Sequence, residues 1–218
     1  MVEASSSTLV LVSTSPRRQR ILEQRGFRVH FVSPPQELDE LAEGEAESVV
    51  LENSKRKVEG FLSLSEDKSK GRLKNVYLGV DTIVVHEGEI LGKPRDEEDA
   101  RRMLKSLSGK VHTVLSGLYL YRSTLGGCSA SSKTEVSFRD ISFAELEFYL
   151  QTGEAFDKAG AYGIQAWAGL FVKSIRGCYY NVVGLPLATL CETLGELELS
   201  VTDLLLSPGE SDGTMERP

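Results

Sequence analysis

The sequence predicts an α/β fold. Apolar runs of strand length alternate with segments of helical period along most of the 218 residues. The first such pair is the clearest. Leu9-Val10-Leu11-Val12 reads as a buried strand, and Ser15-Pro16 opens a helix that carries Ile21 and Leu22 and stops at Gly26. No internal repeat and no clear linker divides the chain, so one domain is expected over residues 9–200, after a flexible segment 1–8 and before a disordered tail 201–218.

The remaining elements follow in order. Residues 29–32 read as a second strand, after which Pro34-Pro35 opens an acidic loop through Glu37, Asp39 and Glu40. Residues 46–61 read as a helix with Val49, Val50, Val58 and Phe61 near one face, and 63–75 as an exposed polar loop. A strand over 76–86 turns at Gly88 into a hairpin with Ile90 and Leu91. Asp96 caps a helix over 97–107, ended by Gly109, with Glu97–Arg101 and Glu98–Arg102 as i,i+4 pairs. Two strands, 111–121 and 133–138, are expected to flank a Gly/Ser-rich loop. Ser142 and Glu145 form a capping box at the head of a helix ending near Gly153. Residues 170–175 and 179–183 read as a hairpin. Pro186 opens the last helix, with Cys191 expected in the core.

Composition limits the function. The net charge of −7 argues against general nucleic-acid binding, though a small positive pocket fits inside an acidic protein. Cys128, Cys178 and Cys191 have no metal or disulfide spacing and read as reduced thiols of an intracellular protein. No apolar stretch reaches the ~18 residues of a membrane span, and the first residues lack a signal pattern.

Several groups could carry chemistry. Arg17 and Arg18 fall in the first helical turn, where the macrodipole is already positive. Free amides, a dipole and guanidiniums together suit an anion, above all a phosphate. Asp81 sits within Leu78-Gly79-Val80-Asp81-Thr82-Ile83-Val84-Val85, a run apolar enough that its charge needs a partner, and Gly79 suggests a close backbone approach. The 88–94 segment fails the Walker pattern, but its hairpin carries Lys93 back toward Asp81. Residues 157–165, Asp-Lys-Ala-Gly-Ala-Tyr-Gly-Ile-Gln, suggest a backbone shaped around a ligand and lack the dinucleotide-loop spacing. His30, His86 and His112 fall in separate strands and read as structural or exposed. Asp81 with one of Glu37, Asp39 or Glu40 would supply the carboxylates that a magnesium-type site needs beside substrate phosphates.

Taken together, Ser-Thr-Ser-Pro-Arg-Arg, Gly-Val-Asp-Thr, Gly-Lys-Pro-Arg-Asp, Leu-Ser-Gly-Lys-Val-His, the 157–165 segment and Tyr-Tyr-Asn-Val-Val-Gly-Leu-Pro resemble, in order, the Maf family of nucleoside triphosphate pyrophosphatases. The resemblance runs over roughly residues 9–197. It implies an elongated mixed sheet flanked by helices, two lobes around a central cleft, a cytoplasmic homodimer, and hydrolysis of a nucleoside triphosphate to monophosphate and pyrophosphate with Mg²⁺ or Mn²⁺. Arg17, Thr82 and Gln165 match the branch that prefers dTTP, UTP and modified pyrimidine nucleotides over 7-methyl-GTP. By the same resemblance Asp81 is the proton acceptor, and Ser13, Arg17, Arg18, Lys55 and Lys93 hold phosphate, with Lys57 the nearby alternative to Lys55. Glu37 and Asp81 hold the metal, with Asp39 or Glu40 in place of Glu37 if a small insertion intervenes. Two other classes compete: a non-catalytic nucleotide-binding regulator of cell division, and a nucleic-acid module built on the Arg17, Arg18, Arg20 and Arg25 cluster, which the acidic net charge disfavours.

Overall fold

A computed structural model describes residues 7–35, 43–64 and 74–207. Their elements are β1 (Thr8–Val12), α1 (Pro16–Gln24), β2 (Val29–Val32), α2 (Ala46–Leu64), β3 (Asn75–His86), β4 (Glu89–Leu91), α3 (Glu97–Leu107), β5 (Val111–Arg122), β6 (Gly126–Phe138), α4 (Phe143–Gln151), β7 (Val172–Arg176), α5 (Tyr179–Val183) and α6 (Leu187–Glu196). The sheet is mixed and seven-stranded, in the order β2-β1-β3-β5-β6-β7 with β4 on β3. β1 pairs parallel with β2 and β3, and every later pairing is antiparallel.

Local chemistry sets the helix ends. Pro16 occupies the start of α1, and Gly26 follows its end at φ +72°, a conformation costly for other residues. The Asp96 carboxylate accepts the amide of Asp99 at 2.8 Å at the head of α3. Ser142 and Glu145 cap α4 reciprocally.

Successive side chains of a strand alternate between the two faces of its sheet, and on one face two cores lie end to end. Leu78, Val80, Leu118 and Leu120 pack with Ile21, Leu22, Leu190 and Leu194. Val84, Val114 and Val136 pack with helices α3 and α4. Between these cores the cross-strand partners Thr82 and Ser116 put hydroxyls 2.9 Å apart, so a polar seam separates two lobes. On the other face α2 lies close against β3 and β5. A Cβ on Gly79 would sit 2.0 Å from the Ser54 carbonyl oxygen, and one on Gly117 2.3 Å from that of Val50. Only glycine permits this approach.

Several expectations need correction. The Gly/Ser-rich segment is not a loop. It is the first half of β6, paired with β5 from a turn at 123–125, because the long β5 edge supplies backbone partners whatever the side chains. Tyr179–Val183 is helical, not a strand. Asn181, fully buried, donates to the Val114 carbonyl and Thr134 Oγ1, and Gly184 at φ +113° closes the turn. Cys191 is exposed, since the buried stripe of α6 runs through Leu190, Thr193 and Leu194. Glu98 pairs with Arg101, while Arg102 turns to Asp99 and Glu89. The start of the expected tail is structured: Leu204 is fully buried, its carbonyl takes the Arg28 amide, and the Leu206 amide donates to the Gly26 carbonyl. At the other end Thr8 already belongs to β1, and α2 continues to Leu64. Among the described residues no helix is long and apolar enough to cross a membrane.

Candidate active site

β3 is flanked on one edge by β1, which pairs with Asn75 to Gly79, and by β4, which pairs with Val84 to His86. Among the described residues no strand covers the edge from Val80 to Ile83 between them. A cavity of about 760 Å³ opens at this gap, beyond the carboxyl end of β1 and beside the head of α1. Both lobes line it.

Asp81 occupies this gap on the α2 side. Its Oδ1 lies 2.7 Å from Lys57 Nζ and its Oδ2 accepts from Asn53 Nδ2 at 3.1 Å. Lys57 Nζ also donates to the Val80 carbonyl at 3.3 Å. Asn53 and Lys57 are one helical turn apart, and the close seat of α2 on Gly79 and Gly117 lets both reach the strand. Burial works to raise the Asp81 carboxyl, but the Lys57 charge and hydrogen bond, the Asn53 hydrogen bond and the Arg18 charge outweigh it and hold it below the usual carboxylate range. Asp81 is therefore an ionised acceptor.

The polar seam carries a second network. Arg18 donates from Nε to the Gly184 carbonyl at 2.7 Å, from Nη2 to Thr82 Oγ1 at 3.0 Å, and from Nη1 to Ser13 Oγ at 3.3 Å. Ser13 Oγ also accepts the Ser15 amide at 3.2 Å. The turn after α5 thus fixes a guanidinium beside the α1 N-terminus. Arg17 reaches the cavity from the same turn, and Lys93 and Gln165 line its walls with exposed side chains. Asp81, Ser13, Arg17, Arg18, Thr82, Lys93 and Gln165 accordingly share one cavity.

Lys55 does not join them. It points away from the cavity, 3.8 Å from Glu59, and Lys57 takes the inner position. Glu37, Asp39 and Glu40 lie outside the described residues. Sequence reasoning did not find Asn53, although its spacing from Val50 and Lys57 on the buried stripe of α2 carried that signal. The histidines stay out of the site: His30 is exposed, His86 is buried, and His112 is buried with Nε2 2.8 Å from the Tyr162 hydroxyl.

Residues 8–197 match the family model described as Maf-like protein. The chain belongs to the Maf family. A dTTP/UTP pyrophosphatase of Agathobacter rectalis is 40% identical over 206 residues, 89% of this chain and 100% of that protein. One of Thermococcus gammatolerans is 43% identical over 179 residues, 82% of this chain and 91% of its own length. A solved HAM1 protein from Coxiella burnetii aligns over 87% of this chain and 99% of its own at 14% identity, with a TM-score of 0.44. In this Maf-family chain the described residues contain no cluster of three or more His, Cys, Asp and Glu side chains able to hold a metal ion unaided. A magnesium-type cation shared with substrate phosphates needs only one or two carboxylates, and Asp81 is a carboxylate that lines the cavity.

Proposed function

We propose that this chain hydrolyses nucleoside triphosphates, with dTTP, UTP and related or modified pyrimidine nucleotides as substrates, to the monophosphate and pyrophosphate. The observation that carries the reading is the juxtaposition of an ionised, buried Asp81 with the basic N-terminal turn of α1 across one cavity. The names of the relatives at 40% and 43% identity support the reaction and the pyrimidine preference.

In this reading the triphosphate lies over the α1 N-terminus, where amides, Arg17 and Arg18 oppose its charge and Lys93 and Lys57 approach other oxygens. Asp81 accepts a proton from a water whose oxygen attacks the α-phosphorus in line. The bond from that phosphorus to the bridging oxygen breaks, and pyrophosphate leaves with the electron pair. Lys57 and Asn53 keep Asp81 ionised and hold its carboxylate in the cavity wall. A divalent cation, Mg²⁺ or Mn²⁺, held by Asp81 and an acidic residue of the Glu37 segment, would neutralise charge on the phosphate oxygens. Gln165 offers a donor and an acceptor to a pyrimidine edge, and Thr82 accepts a hydrogen bond from Arg18 that steadies the guanidinium. A cytoplasmic homodimer without a nucleic-acid partner completes the proposal.

The test is pyrophosphate release from dTTP, UTP, CTP, GTP and 7-methyl-GTP with Mg²⁺ or Mn²⁺. Release from dTTP and UTP above the purines is expected. Tight nucleotide binding without release from any substrate would replace the enzyme by the non-catalytic regulator.

A further inference from the structure

Arg17 and Asp157 meet at the cavity, each from a different lobe. Arg17 stands in the first turn of α1, whose Ile21 and Leu22 are buried in the first core. Asp157 lies between Ala155 and Ala161, both buried in the second. Arg17 Nη1 is 3.1 Å from Asp157 Oδ2, and both residues line the cavity. The side chains are 28% and 64% exposed, so water screens the pair. The loop end is anchored: Lys158 Nζ binds the Asp157 carboxylate and donates to the Glu154 carbonyl at 2.6 Å.

Arg17 belongs to the positive helix end that the functional reading assigns to phosphate. A carboxylate from the opposite lobe now occupies part of its fork. Phosphate oxygens offer a guanidinium paired, charge-assisted acceptors, and an exposed ion pair is weak enough to exchange for them.

We propose that Asp157 is a positioning residue that acts as a stand-in anion: it holds Arg17 toward the second lobe until a substrate phosphate displaces it. The proposal rests on the triphosphate reading above. Removing the carboxylate then tightens polyphosphate binding through Arg17, while the Glu154 carbonyl continues to hold Lys158.

The experiment is a double-mutant cycle on the full chain, Asp157→Asn and Arg17→Gln, reading the affinity for inorganic tripolyphosphate by calorimetry at low and high salt. Asp157→Asn should bind about two- to fivefold more tightly at low salt. The gain should shrink at high salt and vanish in the Arg17→Gln background. In dTTP turnover the same substitution should act on KM. An equal gain with and without Arg17 would mean that the substitution only makes the cavity less negative, and would overturn the proposal. So would weaker binding by Asp157→Asn. The calorimetric cycle needs no turnover, so a chain that binds tripolyphosphate but releases no pyrophosphate from dTTP sinks the pyrophosphatase reading, while the cycle still decides the role of Asp157.

Discussion

Lys57 Nζ lies 2.7 Å from Oδ1 of Asp81, and both side chains are more than nine-tenths buried. Breaking such a pair from one side strands a charge away from water, at about 3–5 kcal/mol. Lys57→Met should therefore destabilise the fold strongly, and Lys57→Met with Asp81→Asn should recover much of the loss in denaturant titrations. Lys57 also holds the Asp81 carboxyl low. The acid limb of kcat/KM in Lys57→Met should shift to higher pH, because Asp81 then protonates more readily. An unmoved limb would separate Asp81 from the proton transfer.

Asp81→Asn tests the base, with its stability measured alongside because the change strands the Lys57 charge as Lys57→Met strands that of Asp81. The amide keeps the size of the side chain and cannot accept the proton. Turnover should fall about 10²–10⁴-fold while nucleotide affinity is retained. Unchanged turnover would remove Asp81 from the role.

Gly117 makes a structural prediction about the same chemistry. Its Cβ would fall 2.3 Å from the Val50 carbonyl oxygen, a main-chain atom that moves only with the helix. Gly117→Ala should cost about 1–3 kcal/mol or more and lift α2 off the sheet. Asn53 and Lys57 ride on α2, so activity should fall with stability. Lost stability with full activity would show that the helix seat does not set the Asp81 contacts.

Legibility in the sequence followed locality. The β1–α1 unit was readable because Pro16 and Gly26 set the two ends of α1 locally, although the Ser15 side chain makes no capping hydrogen bond. That Asp81 needs a partner was readable from the cost of burying a charge. Which lysine meets it was legible only in part: residues two apart on a helix point to nearly opposite sides, and the stripe through Val50 and Val58 sets Lys57 on the buried side, but that this side faces Asp81 depends on the seat of α2 on Gly79 and Gly117. β6 and α5 depart from the sequence expectation for the opposite reason. Their conformations are imposed by distant partners, the β5 edge and the Asn181 contacts, over weak or contrary local preference. The Arg17–Asp157 contact joins residues 140 positions apart and leaves no local trace.

Arg18 binds three acceptors from three elements: the Gly184 carbonyl, Thr82 and Ser13. A lysine keeps the charge but loses the planar fork that spans them. Arg18→Lys should lower kcat/KM at least tenfold with little change in net electrostatics, and Thr82→Val should reproduce part of the loss. Wild-type kinetics in Arg18→Lys would show that charge alone suffices at this position.

His112 supplies the pH dependence of stability. Burial, aided by the charge of His86, pushes its imidazole down to about 4 from the ordinary 6.5. Its neutral Nε2 lies 2.8 Å from the Tyr162 hydroxyl, and the ring packs edge-on against Phe138. Between these two values the unfolded chain binds the proton and the folded one does not, so acid favours unfolding. The stability present above pH 6.5 should decline as pH falls toward 4, by about 3 kcal/mol from this group, and its contribution should level off below. Denaturant titrations across that range, on the wild type and on His112→Gln, would isolate it. The variant should be less stable at neutral pH and show a shallower acid slope. An equal slope in both would assign the acid sensitivity to other groups.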